Sequence, residues 1–118
     1  MLTEQEIMNG IQQCNGTERY WKNDLLHYQY TDGVKFMWES CEAYWLLIAI
    51  SSHKRKEEFQ VWELTVCETD TGKSATLTMR EDADEPILVS QSFQYTDFPL
   101  PKLKLYLINN VLLLPEEY

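Results

Sequence analysis

Phe59-Gln60-Val61-Trp62-Glu63-Leu64-Thr65-Val66-Cys67 is the stretch whose reading decides the fold. Its side chains sort at a period of two, the spacing of a strand with a distinct face on either side. Trp62, Leu64 and Val66 fall on one face, with Phe59, Val61, Glu63 and Thr65 on the other. The clear periodic runs before it are helical, whereas those after it alternate. The chain therefore changes architecture near residue 59.

Downstream, Glu68-Thr69-Asp70-Thr71-Gly72-Lys73 reads as a turn. The segment 74–80 alternates cleanly, with Ala75, Leu77 and Met79 inward and Thr76, Thr78 and Arg80 outward. A second turn covers 81–86. Ile87, Val89, Phe93 and Tyr95 then line one face of a third strand, whose other face of Ser90, Ser92 and Gln94 suits water. Phe98-Pro99-Leu100-Pro101 reads as a rigid extended link, because neither proline can donate to a ladder. Leu103, Leu105 and Leu107 alternate with Lys104 and Tyr106. Asn109-Asn110 suits a tight hairpin, since Asn tolerates positive φ, and the return strand from Val111 stops at Pro115.

Upstream, Thr3-Glu4-Gln5-Glu6 has the form of a capping box. Ile7, Met8, Ile11 and Cys14 follow on one helical face, Gly10 weakens that helix by about 1 kcal/mol relative to Ala, and Asn15-Gly16 suits its stop. Residues 17–30 read as mixed, the first part fitting a helical turn capped by Thr17 and the second, from Leu25 to Tyr30, a short extended piece. Thr31 or Asp32 can cap a helix through Gly33-Val34-Lys35-Phe36-Met37-Trp38-Glu39 to about Ser40. Ala43-Tyr44-Trp45-Leu46-Leu47-Ile48-Ala49-Ile50 is apolar on nearly every side, which predicts a helix buried around most of its circumference. His53-Lys54-Arg55-Lys56 could offset the negative end of that helix. The tetrapeptide Gln-Tyr-Thr-Asp occurs at 29–32 and again at 94–97, the first copy placed to cap a helix and the second to end a strand.

The expected fold is α+β in one domain over 1–118. Helices over about 1–56 pack on one face of a roughly five-stranded antiparallel meander over about 59–115. The chain is long enough to bury a core without disulfides or metal. Four Trp and seven Tyr suit such a core and also suit a binding face.

Gly16-Thr17-Glu18, Tyr30-Thr31-Asp32-Gly33-Val34-Lys35-Phe36, Ala43-Tyr44-Trp45-Leu46-Leu47 and Phe59-Gln60-Val61-Trp62 together resemble a family of small bacterial proteins catalogued as domain of unknown function 6876. Tyr95-Thr96-Asp97-Phe98-Pro99-Leu100 and Val111-Leu112-Leu113-Leu114-Pro115-Glu116-Glu117-Tyr118 continue the likeness in the same order. The resemblance implies no activity. Asn109-Asn110 departs from the Asn-Gly expected in such a hairpin, which changes turn strain alone.

The formal net charge is −9, and residues 59–118 carry most of the excess. Such a charge disfavours nucleic acid and anionic membrane, both polyanions, and points to a partner protein with a basic surface. The bland alternative is that the charge only keeps a small protein soluble. Three cysteines (Cys14, Cys41, Cys67) without a Cys-x-x-Cys pair fit a reducing compartment. With no basic-then-apolar leader and no long apolar span, the expected location is cytoplasmic.

Glu81-Asp82-Ala83-Asp84-Glu85 is the densest run of carboxylates. It lacks the Gly and the ligand spacing of a Ca²⁺ loop, so a solvated hairpin tip is the plain reading and a contact for a basic surface the functional one. His27 and His53 lack zinc spacing, and no Gly-rich phosphate loop is present, so no metal and no cofactor is expected. Tyr20 and Trp21, flanked by Arg19 and Lys22, form the best candidate for an exposed aromatic patch, against the alternative of packing on the core.

The leading expectation is a non-enzymatic interaction domain, an inhibitor or regulator of a basic or nucleic-acid-binding protein. Glu81, Asp82, Asp84, Glu85, Tyr20 and Trp21 are its candidate contacts. By analogy, small acidic proteins of phages and mobile elements mimic a phosphate backbone. The rival is a small enzyme or ligand-binding domain with a helix–sheet pocket near Asp32 and Asp97, joined by His27 or Cys41. A third reading is a homodimer through a free sheet edge.

Overall fold

The computed structural model describes residues 3–13, 20–53, 55–82 and 84–118. The expected position of Cys14, the Asn15-Gly16 stop, the Thr17 cap, Arg19, Lys54 and Ala83 lie outside the described residues. So does the Gly16-Thr17-Glu18 segment.

Helix α1 spans Glu4–Gln12 and opens on the predicted capping box. The Glu6 N–H donates to Thr3 Oγ1 (3.2 Å), and the Thr3 N–H donates to Glu6 Oε1 (3.1 Å). Those hydrogen bonds, the backbone one first, hold the Glu6 carboxyl below its ordinary value. Ile7 and Ile11 are the buried stripe of α1. At Gly10 a Cβ would come within 2.2 Å of Phe36, so the missing side chain allows α1 to approach the next helix closely.

Helix α2 spans Asp32–Cys41. Thr31, in extended conformation, caps it by accepting the Val34 N–H (3.3 Å). The helix ends at Glu42, held at φ 54, beyond which the Ala43 N–H reaches the Trp38 carbonyl (2.9 Å). Helix α3 spans Tyr44–Ser52 and buries Leu46, Leu47, Ala49, Ile50 and Ser51. Its burial is less complete than the unbroken apolar run suggests, because Ile48 is 41% exposed.

The strands are β1 (Tyr20–Trp21), β2 (Gln29–Thr31), β3 (Phe59–Thr69), β4 (Gly72–Arg80), β5 (Val89–Phe93), β6 (Lys102–Ile108) and β7 (Val111–Leu113), followed by a 3-10 turn over Pro115–Glu117. They form one seven-stranded sheet in the order β1-β2-β7-β6-β3-β4-β5. The α+β class holds, but the expected five-stranded antiparallel meander is corrected in three respects. The sheet has two further strands, β1 in the stretch read as a helical turn and β2 at the stretch read as extended. β2 pairs with β7 in parallel. β6 pairs with β3 rather than β5, so the five expected strands do not stand in meander order. Strands of two and three residues are too short to show a period, and a parallel pairing across about 80 residues leaves no local trace.

The long antiparallel part follows the alternation. Trp62 stands opposite Leu105 and Met79, and Leu64 opposite Leu103 and Leu77. Asn109 and Asn110 take φ values of 49 and 65 in the β6–β7 hairpin, as the turn requires. All three helices place their buried side chains against this one sheet face. Ile7, Met37, Leu46, Trp62, Leu77 and Leu105 share a single core cluster. Each such side chain contributes about 1.5–3 kcal/mol by burial.

Two expectations change at the margins of the sheet. The third strand is shorter than 87–95 and leaves Ile87 (49%) and Tyr95 (76%) exposed. The Phe-Pro-Leu-Pro link bends and plugs the core, with Phe98 and Leu100 buried. Proline removes ladder donors without preventing the intervening side chains from packing.

Candidate functional site

The opposite face of the sheet carries the residues that alternate with the core set. Glu63 and Thr65 of β3, Thr76, Thr78 and Arg80 of β4, and Ser90 and Ser92 of β5 lie together on it by register. None of them belongs to the core cluster beneath the helices. Val61 is buried yet also stands outside that cluster, next to Tyr106 and Arg80 in the ladder. Toward β7 the face becomes aromatic. Phe59, Tyr106 and Tyr118 form a mutual cluster with ring centroids 5.4–6.0 Å apart. The result is a broad polar, Ser/Thr-rich surface with an aromatic border, on which exposed Lys104 and Lys102 of β6 stand opposite Glu63 and Thr65.

The 81–85 loop joins the two strands at the polar end of this face. Glu81, Asp82, Asp84 and Glu85 are all exposed. The Glu85 N–H donates to the Asp82 carbonyl (3.1 Å), and an Arg80 guanidinium nitrogen stands 3.5 Å from the Glu85 carbonyl. The loop therefore has a hydrogen-bonded turn. Nearby, Arg55 donates two hydrogen bonds to Glu57 (2.9 and 2.8 Å), which push the guanidinium above and the carboxyl below their ordinary values. The charge of Glu81 adds to the effect on Arg55 and places this loop beside the segment that follows α3.

Tyr20 and Trp21 divide between the two readings of an exposed patch and a packed one. Tyr20 on β1 is exposed, whereas Trp21 is half-buried and packs against the core. The Trp21 indole N–H donates to Asp32 Oδ1 (2.7 Å), and Lys35 Nζ sits 4.7 Å from its ring centroid. Lys35 also pairs with Glu39 at 2.7 Å. Asp32 thus serves the first turn of α2 and orients Trp21, where its charge also suits the helix dipole.

The four residues proposed for a pocket are not brought together. Asp32 follows β2, near one edge of the sheet, and Asp97 is exposed after β5, at the other edge. Cys41 is fully buried in α2, and burial pushes its thiol up to about 12. His27 is exposed. Its backbone N–H donates to Ser51 Oγ (3.0 Å), and it borders a cavity of about 30 Å³ with Tyr28, Arg55 and Gln60. Larger hollows of about 110 and 210 Å³ lie beside Leu100, lined respectively by Met8 and Ile11 and by Val66 and Pro101. None of these three is lined by Asp32, Asp97 or Cys41. Cys67 is exposed. Among the described residues no three His, Cys, Asp or Glu side chains gather as a metal site, and no helix is long and apolar enough to cross a membrane.

The profile of a family of unknown function, DUF6876, matches residues 5–118. The chain belongs to the DUF6876 family. No curated protein and no solved structure is detectably similar to it.

Within this DUF6876 chain, two further features escape the sequence. Glu117 reaches back across the fold to the start of α2. Its carboxylate accepts the Thr31 hydroxyl (2.5 Å), the Gly33 N–H (3.2 Å) and the Leu114 N–H (3.0 Å). A Cβ on Gly33 would stand 2.6 Å from Glu117 Oε1, so the glycine is needed for this close approach. The only local hint was an acid two residues after the Pro115 stop. The second is a tyrosine cluster. The Tyr28 hydroxyl donates to the Leu47 carbonyl (2.6 Å), and burial, with Tyr44 and Tyr30 adding, raises its pKa. Trp38 and Tyr44 meet edge to face at 4.8 Å, with the Trp38 Nε1 and the Tyr44 hydroxyl buried and without a hydrogen-bond partner among the described residues.

Proposed function

We propose that this DUF6876 chain is a non-enzymatic protein-interaction domain that binds a protein with a basic surface, as an inhibitor or regulator of a nucleic-acid-binding partner in the cytoplasm. The observation that carries the reading is the exposure of four carboxylates, Glu81, Asp82, Asp84 and Glu85, within five positions beside a sheet face outside the helix-covered core. A face of alternating hydroxyls accepts and donates hydrogen bonds without demanding one sequence. The carboxylates supply long-range attraction, strengthened by the net charge of −9. A protein that binds nucleic acid has the matching positive surface, and occupying that surface excludes its polyanion.

The test begins with affinity capture from the native host and identification by mass spectrometry. Binding is then measured with the purified partner at low and raised ionic strength. The reading predicts a basic partner whose association slows with salt, and about tenfold or more slower association for Glu81→Lys combined with Glu85→Lys. A partner whose binding ignores both salt and the charge reversal would sink the reading.

A further inference from the structure

The edge strand β5 has the features of a surface for a second copy of the chain. Among the described residues no strand pairs with its outer side, and the opposite edge of the sheet is the two-residue β1. Natural sheets blunt such edges with Lys, Pro or an inward charge. The ten residues from Ile87 to Thr96 carry no charge and no proline. They also carry exposed apolar side chains at both ends, Ile87 and Tyr95.

Backbone direction fixes which groups are available. The Leu88 N–H donates to the Met79 carbonyl (2.7 Å) and the Thr96 N–H to the Lys73 carbonyl (3.0 Å), both on β4. Both acceptors are odd-numbered residues of β4, so its odd residues turn toward β5, and the ladder sets Ala75, Leu77 and Met79 opposite Phe93, Gln91 and Val89. The groups of Val89, Gln91 and Phe93 therefore face β4, and those of Ser90 and Ser92 face outward. We propose that two copies pair β5 to β5, antiparallel, about a two-fold axis through Gln91. The structure supplies the register. It sets Gln91 against the second copy's Gln91, Val89 against its Phe93 and Ile87 against its Tyr95. The outward backbone groups of Ser90 and Ser92 then face those of the second copy's Ser92 and Ser90, and exposed Ile87 and Tyr95 cover each other. Such self-complementarity is what a closed two-fold interface requires.

Helix α3 extends the contact. It rests on Phe93 through Trp45 (5.1 Å between ring centroids) and on Gln91 through a His53 hydrogen bond (2.7 Å), and it leaves Ile48 exposed. A pair of segments 87–96, of which Val89–Phe93 is strand, with this helix alongside buries at most about 1,000 Å² in total, the low end for a specific interface. The dimer is therefore weak and concentration-dependent. The same register brings Glu85 toward the second copy's Asp97, like charges at both ends of an otherwise uncharged seam. Raised ionic strength screens that repulsion and favours the dimer. This is opposite in sign to the salt response of the basic partner, so the two proposals fail separately.

Sedimentation equilibrium of the full chain, from micromolar to near-millimolar concentration at low and raised salt, tests this. The expected result is a mass rising from monomer toward dimer, more readily at raised salt. Ile87→Glu combined with Tyr95→Glu sets like charges opposite each other and leaves the monomer. Ile87→Lys combined with Tyr95→Glu sets opposite charges face to face in the same register and restores the dimer. Both positions are exposed, so the fold is spared. A chain that stays monomeric throughout, or a dimer that both double variants leave equally intact or equally broken, overturns the proposal.

Discussion

Glu117 holds the start of α2, the end of β2 and the turn after β7 with one carboxylate. Its removal strands three donors at a half-buried site, so Glu117→Ala is expected to cost about 1–3 kcal/mol in urea denaturation. Gly33→Ala forces a methyl into the same space and is expected to cost a similar amount, about 1–3 kcal/mol. The two effects should not add. With the carboxylate gone, the Gly33→Ala penalty shrinks, because both act on one contact. Buried weak acids give a second residue-scale expectation. The Cys41 thiol rises from 9.0 to about 12, and the buried Tyr28 hydroxyl rises above its ordinary 10.0. The folded state therefore keeps protons that the unfolded chain loses. The stability contributed by each group is complete below its unfolded value and falls as pH rises toward the folded one. Denaturation midpoints should decline progressively from about pH 9 upward, and Cys41 should resist thiol reagents at neutral pH while exposed Cys67 reacts.

Helix caps, alternation and turn chemistry are encoded within a few residues, and those elements were legible in the sequence. The Thr3 capping box, the Thr31 cap, the β3–β4 alternation and the Asn109-Asn110 hairpin all form as their residues predict. Two left-handed positions are occupied by residues less suited to them than glycine. Glu42 at φ 54 terminates α2, and Asn110 at φ 65 follows Asn109 in the hairpin. Glu42→Gly is expected to stabilise the chain by about 1 kcal/mol, and Asn110→Gly by a few tenths up to about 1 kcal/mol, read as rises in thermal midpoint. Asn110→Val should lower it, because a β-branched side chain strains the left-handed region. The Gln29 N–H donates to the Asn110 carbonyl (2.9 Å), so a loosened hairpin should also loosen β2.

Across the whole molecule, what the sequence withheld is long-range. The parallel β2–β7 pairing, the reach of Glu117 and the wide separation of Asp32 from Asp97 depend on which elements become neighbours. Period and capping carry no information about that. The two Gln-Tyr-Thr-Asp copies show the point. Thr31 of the first caps α2 and binds Glu117, while Thr96 of the second is buried and accepts the Phe98 N–H (3.1 Å) at the end of β5. The same four letters meet different neighbours. Of the candidate site, the exposure of the acidic loop was legible because dense like charge resists burial. Trp21 was not, because its indole is satisfied by Asp32 eleven residues away.

The acid excess and the exposed loop on one end of the open sheet face together support a domain built to meet a basic protein. The most direct measurement is the association rate with the captured partner as a function of ionic strength, for the natural chain and for Glu81→Lys combined with Glu85→Lys. The account predicts a steep fall with salt for the natural chain, with the variant already slow and nearly flat. Equal rates for the two chains, unchanged by salt, would contradict it.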